Sequence, residues 1–301
     1  MSKRTKAHLA VLAANFIFGA NFSVVKYVTP SAIHPLALNV TRIFVTTVLF
    51  WIIFAFKPGR IKPTRAEVIR FIVCGAVGVA FNQLFFIKGM SLTTSIHAAL
   101  LMLGTPIIIT FIAALVLKEK LNFLKIAGLA LGIGGAMNLI LQKEASQTAS
   151  DIIRGDIFVL LNAIFYGFYL VMVRPLMEKY TAFQVIRWIF TIGLFFILPF
   201  GWTEFVHTDW SILQPGHWAA VAFVVLGATF FSYLFNIYGV TILGASATGA
   251  YIYTQPVFAA IIAMVFMGEE FTLAKAVSAL LIFTGVFMAN YRSVKAGTLE
   301  E

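Results

Sequence analysis

The chain has 301 residues, 60% hydrophobic and 11% charged, with a formal net charge of +10 at pH 7. So little polar surface excludes a water-soluble globule. The basic residues sit in short segments between apolar runs, where membrane topology accounts for them, so nucleic acid is excluded as a partner.

The N-terminal MSKRTK is basic and precedes an apolar run over 7–28. That run is longer than the apolar region of a signal peptide, and nine more follow, so it is predicted as the first membrane helix. It carries Asn15 and Asn21. The second span, 35–56, carries Arg42 and ends in the strongly basic KPGRIKPTRAEVIR. The third, 68–90, holds the lone cysteine, Cys74, which has no intrachain disulfide partner and reads as a packing residue. Gly75 and Gly78 on the same span permit close helix contact, and Asn82, Gln83 and Lys88 follow. The fourth, 95–117, contains His97, Thr105 and a mid-helix Pro106. Such a proline removes a backbone hydrogen bond and frees a carbonyl, which a transport cavity can satisfy. The fifth, 122–141, carries GIGG at 132–135, a surface for helix packing within the chain or in a dimer.

The polar QKEASQTASDIIRGD at 142–156 then divides the chain. Spans at 155–176, 182–203, 217–240, 245–267 and 272–291 follow it. They bring Asn162, Tyr166 and Tyr169, then Arg187, then Ser232, Tyr233 and Asn236. The ninth holds Thr248, Tyr251, Tyr253, Thr254, Gln255 and a second mid-helix proline, Pro256. Trp202 and Trp210 are expected near the outer interface. The predicted fold is an all-α polytopic membrane protein of ten transmembrane helices. Its units are a five-helix repeat over 1–141, an external linker over 142–154, a second repeat over 155–295 and a tail over 296–301.

The repeats are legible residue by residue. Gly19 and Lys26 match Gly167 and Arg174; Arg42 and Thr46 match Arg187 and Thr191; LFFIKG at 84–89 matches LFNIYG at 234–239. Pro106, Glu119, Lys125 and Gly135 match Pro256, Glu269, Lys275 and Gly285. An ordered set at nearly constant offset indicates internal duplication. Because five is odd, the second unit enters the membrane from the opposite side. The basic loops after the second and fourth spans are then cytoplasmic, with both termini, and their counterparts WTEFVHTDW and MGEEFTLAK are external and poor in Lys and Arg. Most of the 22 Lys and Arg fall in or beside the predicted inside loops. Inverted repeats of this kind imply alternating access.

The stretch IKGMSLTTSIHAALLMLGTP, its second copy IYGVTILGASATGAYIYTQP, Glu119 and Glu269 after each fourth helix, and Arg42 and Arg187 carry a resemblance. The chain resembles the EamA-type ten-helix carriers of the drug/metabolite transporter superfamily over nearly its whole length. The Gly-Glu pair usual after the fourth helix is present as Gly268-Glu269 but reads Lys118-Glu119 in the first half. The resemblance implies a multi-pass carrier of the inner (cytoplasmic) membrane, often an exporter of amino acids or related metabolites.

All twelve Asp and Glu fall in loops, tails or helix ends, which weakens a carboxylate-driven proton mechanism. Asn15, Asn82, His97 and Tyr251 are the candidate substrate-binding residues. His97 and Tyr251 are expected on related walls from helical spacing, and a neutral His97 bonded to a backbone carbonyl is the plainer alternative. Thr105, Ser232 and Thr254 are polar cavity candidates, with bonding between helices as the plainer alternative. Arg42 and Lys88 are candidates for attracting a substrate carboxylate, whereas Lys26, Arg174 and Arg187 read as snorkelling or helix-end capping groups. Pro106 and Pro256 are the candidate kinks. No catalytic residue, metal or cofactor is expected. The partners are a small-molecule substrate and the lipid bilayer, with the chain a monomer or homodimer. Alternatives are a nucleotide-sugar, nucleoside or other solute carrier, a channel, or a polytopic membrane enzyme. The last is disfavoured by scattered histidines and the lack of intramembrane acids.

Overall fold

A computed structural model describes residues 1–55, 62–117, 123–141 and 149–297. The basic loop around Lys57 and Arg60, the Lys118-Glu119 pair, most of the linker and the last four residues lie outside the described residues. Every regular element among the described residues is helical. In chain order the rods are α1 (Lys3–Val28), α2 (Pro35–Ala55), α3 (Arg65–Leu92) and α4, made of Ser95–Leu103 and Thr105–Leu117. Then come α5 (Phe123–Ile140), α6 (Ile152–Lys179), α7 (Ala182–His207) and α8 (Pro215–Leu243). The last are α9, made of Ala245–Ala250, Tyr251–Thr254 and Gln255–Met267, and α10 (Leu273–Gly297).

Nine helices among the described residues are long and apolar enough to cross a membrane, and the described apolar part of α10, Leu273–Ala289, is shorter. The chain is a multi-pass membrane protein. Phe195, Phe266 and Leu280 on its rim are exposed, as lipid-facing side chains are. Several helices overrun the apolar windows that predict them, because their first turns are built from polar caps. Ser2 caps α1 by accepting from the Thr5 N–H. A capping box starts α3 with Thr64 and Glu67.

Packing interleaves the two halves. Helix α1 lies against α8 and α9, α2 against α7, α3 against α6, and α5 against α10. Each of these pairings joins a helix before the linker to one after it. The α5–α10 contact brings two backbones close together. A Cβ on Gly285 would lie 2.6 Å from the Gly128 carbonyl oxygen, and one on Gly135 would lie 2.9 Å from Ile282. Gly134, between them, meets nothing within 4 Å. Gly128, Gly132 and Gly135 are thus used inside the chain, and of the GIGG stretch Gly134 points outward.

Two irregularities were not legible. Helices α3 and α8 each contain a π-helical stretch, Ala76–Phe81 and Phe223–Phe231. These occupy corresponding places in the two halves, and widened turns of this kind often mark functional positions. The fourth and ninth rods, moreover, are broken rather than kinked. Pro106 and Pro256 are not mid-helix: each stands in the first turn of a new segment, where its missing N–H costs nothing. The carbonyl that Pro106 would have served, that of Met102, accepts instead from Thr105 Oγ1 at 2.6 Å. Thr254 likewise donates to a carbonyl three residues back, Tyr251 O, at 2.7 Å. Ser232 donates to Gly227 O, five residues back in the π stretch of α8. All three hydroxyls therefore bond within their own rods, not between helices, because the breaks and π turns leave local carbonyls unserved.

Candidate functional site

Three groups of interior polar residues bear on a solute path, two at the ends and one in the middle. At one end, Gly268 takes a left-handed conformation, φ 65°, and stops α9. The turn carries Glu269 to the first residues of α4. There its carboxylate accepts from the Ser95 N–H at 2.7 Å and the Ile96 N–H at 2.9 Å. A helix N-terminus offers unsatisfied N–H groups and a positive dipole end, so this is a charge-assisted cap supplied from another helix. The Lys26 ammonium, near Glu269, donates to Ser91 O at 3.3 Å. It is buried, so helix-end capping describes it and snorkelling does not. Arg174 is exposed beside Glu178, as snorkelling requires.

Beside this cap, Asp156 and His97 are both 0% exposed. His97 Nδ1 and Asp156 Oδ2 are 2.9 Å apart, and Thr93 Oγ1 donates to Asp156 Oδ1. Asp156 does sit at a helix end, yet it is fully buried. Its partner is a span histidine, so a carboxylate holds His97 Nδ1. Position within the span predicted depth; it could not predict that the end of α6 is covered by α4 and α3.

At the opposite end, His8 Nδ1 meets the Tyr251 hydroxyl at 2.8 Å. His8 is exposed and Tyr251 half-buried. At the spacing that relates Gly19 to Gly167, position 8 corresponds to position 156. Position 251 corresponds to 101, one helical turn from His97. The two contacts thus join corresponding helices, α6 to α4 and α1 to α9. His97 and Tyr251 stand on corresponding helices, each in a contact at a different end.

The middle is crossed by amides. Asn15 donates to Val11 O and accepts from Gln255 Nε2 at 2.7 Å, tying α1 to the break in α9. Asn82 Nδ2 donates to Asn162 O at 3.0 Å, and Asn162 Nδ2 returns the bond to Asn82 O at 2.9 Å. Arg42 is buried on α2; its Nε donates to Thr229 Oγ1 at 2.7 Å, in the π stretch of α8. Its guanidinium lies 5.9 Å from the centre of the Phe86 ring. Lys88 is exposed, over the Phe158 ring, and is not part of this group. Arg187 stacks 4.6 Å from the Trp51 ring centre, a packing role on the α2–α7 contact. Of the sequence candidates, then, Asn82 and Arg42 reach the middle, Asn15 borders it at the α9 break, and His97 and Tyr251 guard separate ends. Asp156, His8 and Thr229 are the participants that the sequence pattern missed.

Residues 5–141 and, separately, 153–291 match the EamA-like transporter family. The "Uncharacterized transporter YyaM" of Bacillus subtilis is 25% identical over 96% of this chain and 94% of its own length. The "Probable terminal-alkyne amino-acid exporter" of Streptantibioticus cattleyicolor is 27% identical over 85% of this chain and 84% of its own. A solved structure described as "Crystal structure of protein" superposes over 97% of this chain and 99% of its own. Its TM-score is 0.61 at 16% identity, a likeness of fold alone.

Proposed function

This chain belongs to the EamA-like transporter family, and from that premise we propose that it exports amino acids or related metabolites by alternating access. Secondary transport of small molecules across a membrane is the activity of the family; the solute, direction and mechanism are our reading. In this reading the two family-matched units are inverted five-helix repeats. Both termini face the cytoplasm, and the chain sits in the cytoplasmic membrane. The single observation that carries it is the pair of corresponding end contacts. His97–Asp156 is sealed from solvent, whereas His8–Tyr251 is reached by it. A carrier caught with one end closed and the other accessible has this asymmetry, and exchange of the two conformations between repeats would reverse it. The breaks at Gly104 and at Tyr251–Thr254 supply the joints for such movement. The amino-acid exporter among the relatives favours amino acids over nucleotide sugars.

Counterflow in proteoliposomes tests this. Vesicles loaded with an unlabelled amino-acid pool should transiently accumulate trace external label, and unloaded vesicles should not. Equal labelling of loaded and unloaded vesicles, with reconstitution verified, would discard the amino-acid reading. Conductance without saturation or counterflow would replace the carrier with a channel.

A further inference from the structure

We infer that Arg42 anchors the carboxylate of the transported solute, and that an apolar or aromatic body of that solute lies along Tyr166, Tyr169 and Tyr233. The inference rests on the carrier reading and specifies its substrate class.

Arg42 is 5% exposed, and its Nη1 has no hydrogen-bond partner. Its partners are Thr229 and the Phe86 ring, and among the described residues no carboxylate pairs with it. A buried cation without a counter-ion is costly, and in a membrane protein such a charge faces a cavity or a ligand. The surrounding face is also under-satisfied. Asn39 and Thr46 stand three residues before and four after Arg42, on one side of α2. Both are buried, and neither the Asn39 amide nor the Thr46 hydroxyl has a partner. All three are closed to solvent in this conformation, and a ligand with several acceptor oxygens answers them once the carrier opens. The fixed fork of a guanidinium matches carboxylate and phosphate alike, and the amino-acid reading selects the carboxylate.

Two paths lead from this anchor to the same tyrosines. Along α3, Phe86 under the guanidinium is one turn from Asn82, and the reciprocal amide pair passes to Asn162, one turn from Tyr166 on α6. Along α8, Thr229 is followed four residues later, on the same face, by Tyr233. Tyr233 and Tyr169 pack against the same apolar cluster, and the ring centres of Tyr169 and Tyr166 are 6.0 Å apart. All three tyrosines are half-buried, with part of their surface left open. Aromatic faces suit an apolar or aromatic body. The π turn puts Thr229 where it can hold Arg42: its hydroxyl donates five residues back to Val224 O while accepting from the guanidinium.

The test is saturable binding of tritiated phenylacetate to the purified full-length protein in detergent. Unlabelled phenylacetate should compete, and neutral phenylacetamide and inorganic phosphate should not. Arg42→Gln should weaken binding about tenfold to a hundredfold, the loss of one charge-assisted fork. Arg42→Lys, which keeps the charge and is the gentler change for folding, should weaken it less. Tyr166→Ala should also weaken it. Arg187→Gln, at the matching position of the second half, should leave it unchanged. Absence of saturable binding, equal competition by the amide, or unchanged affinity in both Arg42 variants would overturn the inference. Competition by phosphate alone would reassign the site to phosphorylated solutes and equally overturn it. Counterflow of a neutral amino acid that survives Arg42→Gln would sink this site but leave the carrier standing. Phenylacetate binding without counterflow of any solute would sink the carrier instead.

Discussion

Single residues carry information here through their partners. Asp156 reads in the sequence as an unremarked acid at the edge of a polar linker, and in the fold it is sealed against His97 and Thr93. Removing one member of a buried pair strands the other. Asp156→Ala is therefore expected to destabilise the protein by about 3 kcal/mol, and Asp156→Asn, which can still accept from Thr93, by about 1 kcal/mol. Cys74 is fully buried and is the lone cysteine. Thermal unfolding followed with a thiol-reactive dye therefore reports both values without added labels. Equal midpoints for wild type and Asp156→Ala would remove the pair as a stabilising contact. Glu269 repeats the lesson at a sequence-visible motif. Gly268 and Glu269 are recognisable together, and the reason is that a left-handed residue is required to aim the carboxylate at the start of α4.

Among elements, periodicity predicted which segments are helical but not where helices yield. An apolar run looks the same whether its backbone is α or π, so the widened turns in α3 and α8 left no pattern to find. The proline signals were visible, yet proline alone does not distinguish a kink from a first turn. That choice was made by Gly104 and by the hydroxyl of Thr105, which serves the freed carbonyl. The glycines of α5 divide in the same way. Gly285→Val should force α10 away from α5 and cost about 3 kcal/mol or more, because its new Cβ meets the Gly128 carbonyl. Gly134→Ala has open space and should leave the thermal midpoint close to wild type or slightly above it. If Gly134→Ala were the damaging change, that face of α5 would be the buried one, contrary to the α5–α10 packing.

At the scale of the whole molecule the proposal is one of orientation. With both termini in the cytoplasm, the segment between α7 and α8 lies outside. In a Cys74→Ala background, Ser211→Cys should react with a membrane-impermeant maleimide on intact cells. Arg4→Cys should react only after lysis. Both residues are exposed, so accessibility to solvent does not confuse the comparison. The opposite pattern would invert the molecule and turn the sealed His97–Asp156 end toward the cytoplasm.

The sequence by itself determined a multi-pass helical bundle, its duplication and its likeness to a transporter family. Those properties follow from runs of apolar residues, loop charge and an ordered set of matches, all of which are local in the chain. The tertiary structure alone decided which polar groups face each other. It set Asp156 on His97, Glu269 on the N-terminus of α4, and Arg42 on Thr229 without a counter-ion among the described residues. These contacts join residues tens to hundreds of positions apart, through helices whose rotation is fixed by packing against several neighbours at once. No local pattern encodes that rotation, and so burial, partnership and the division of the interior into two ends and a middle emerge only when the halves interleave.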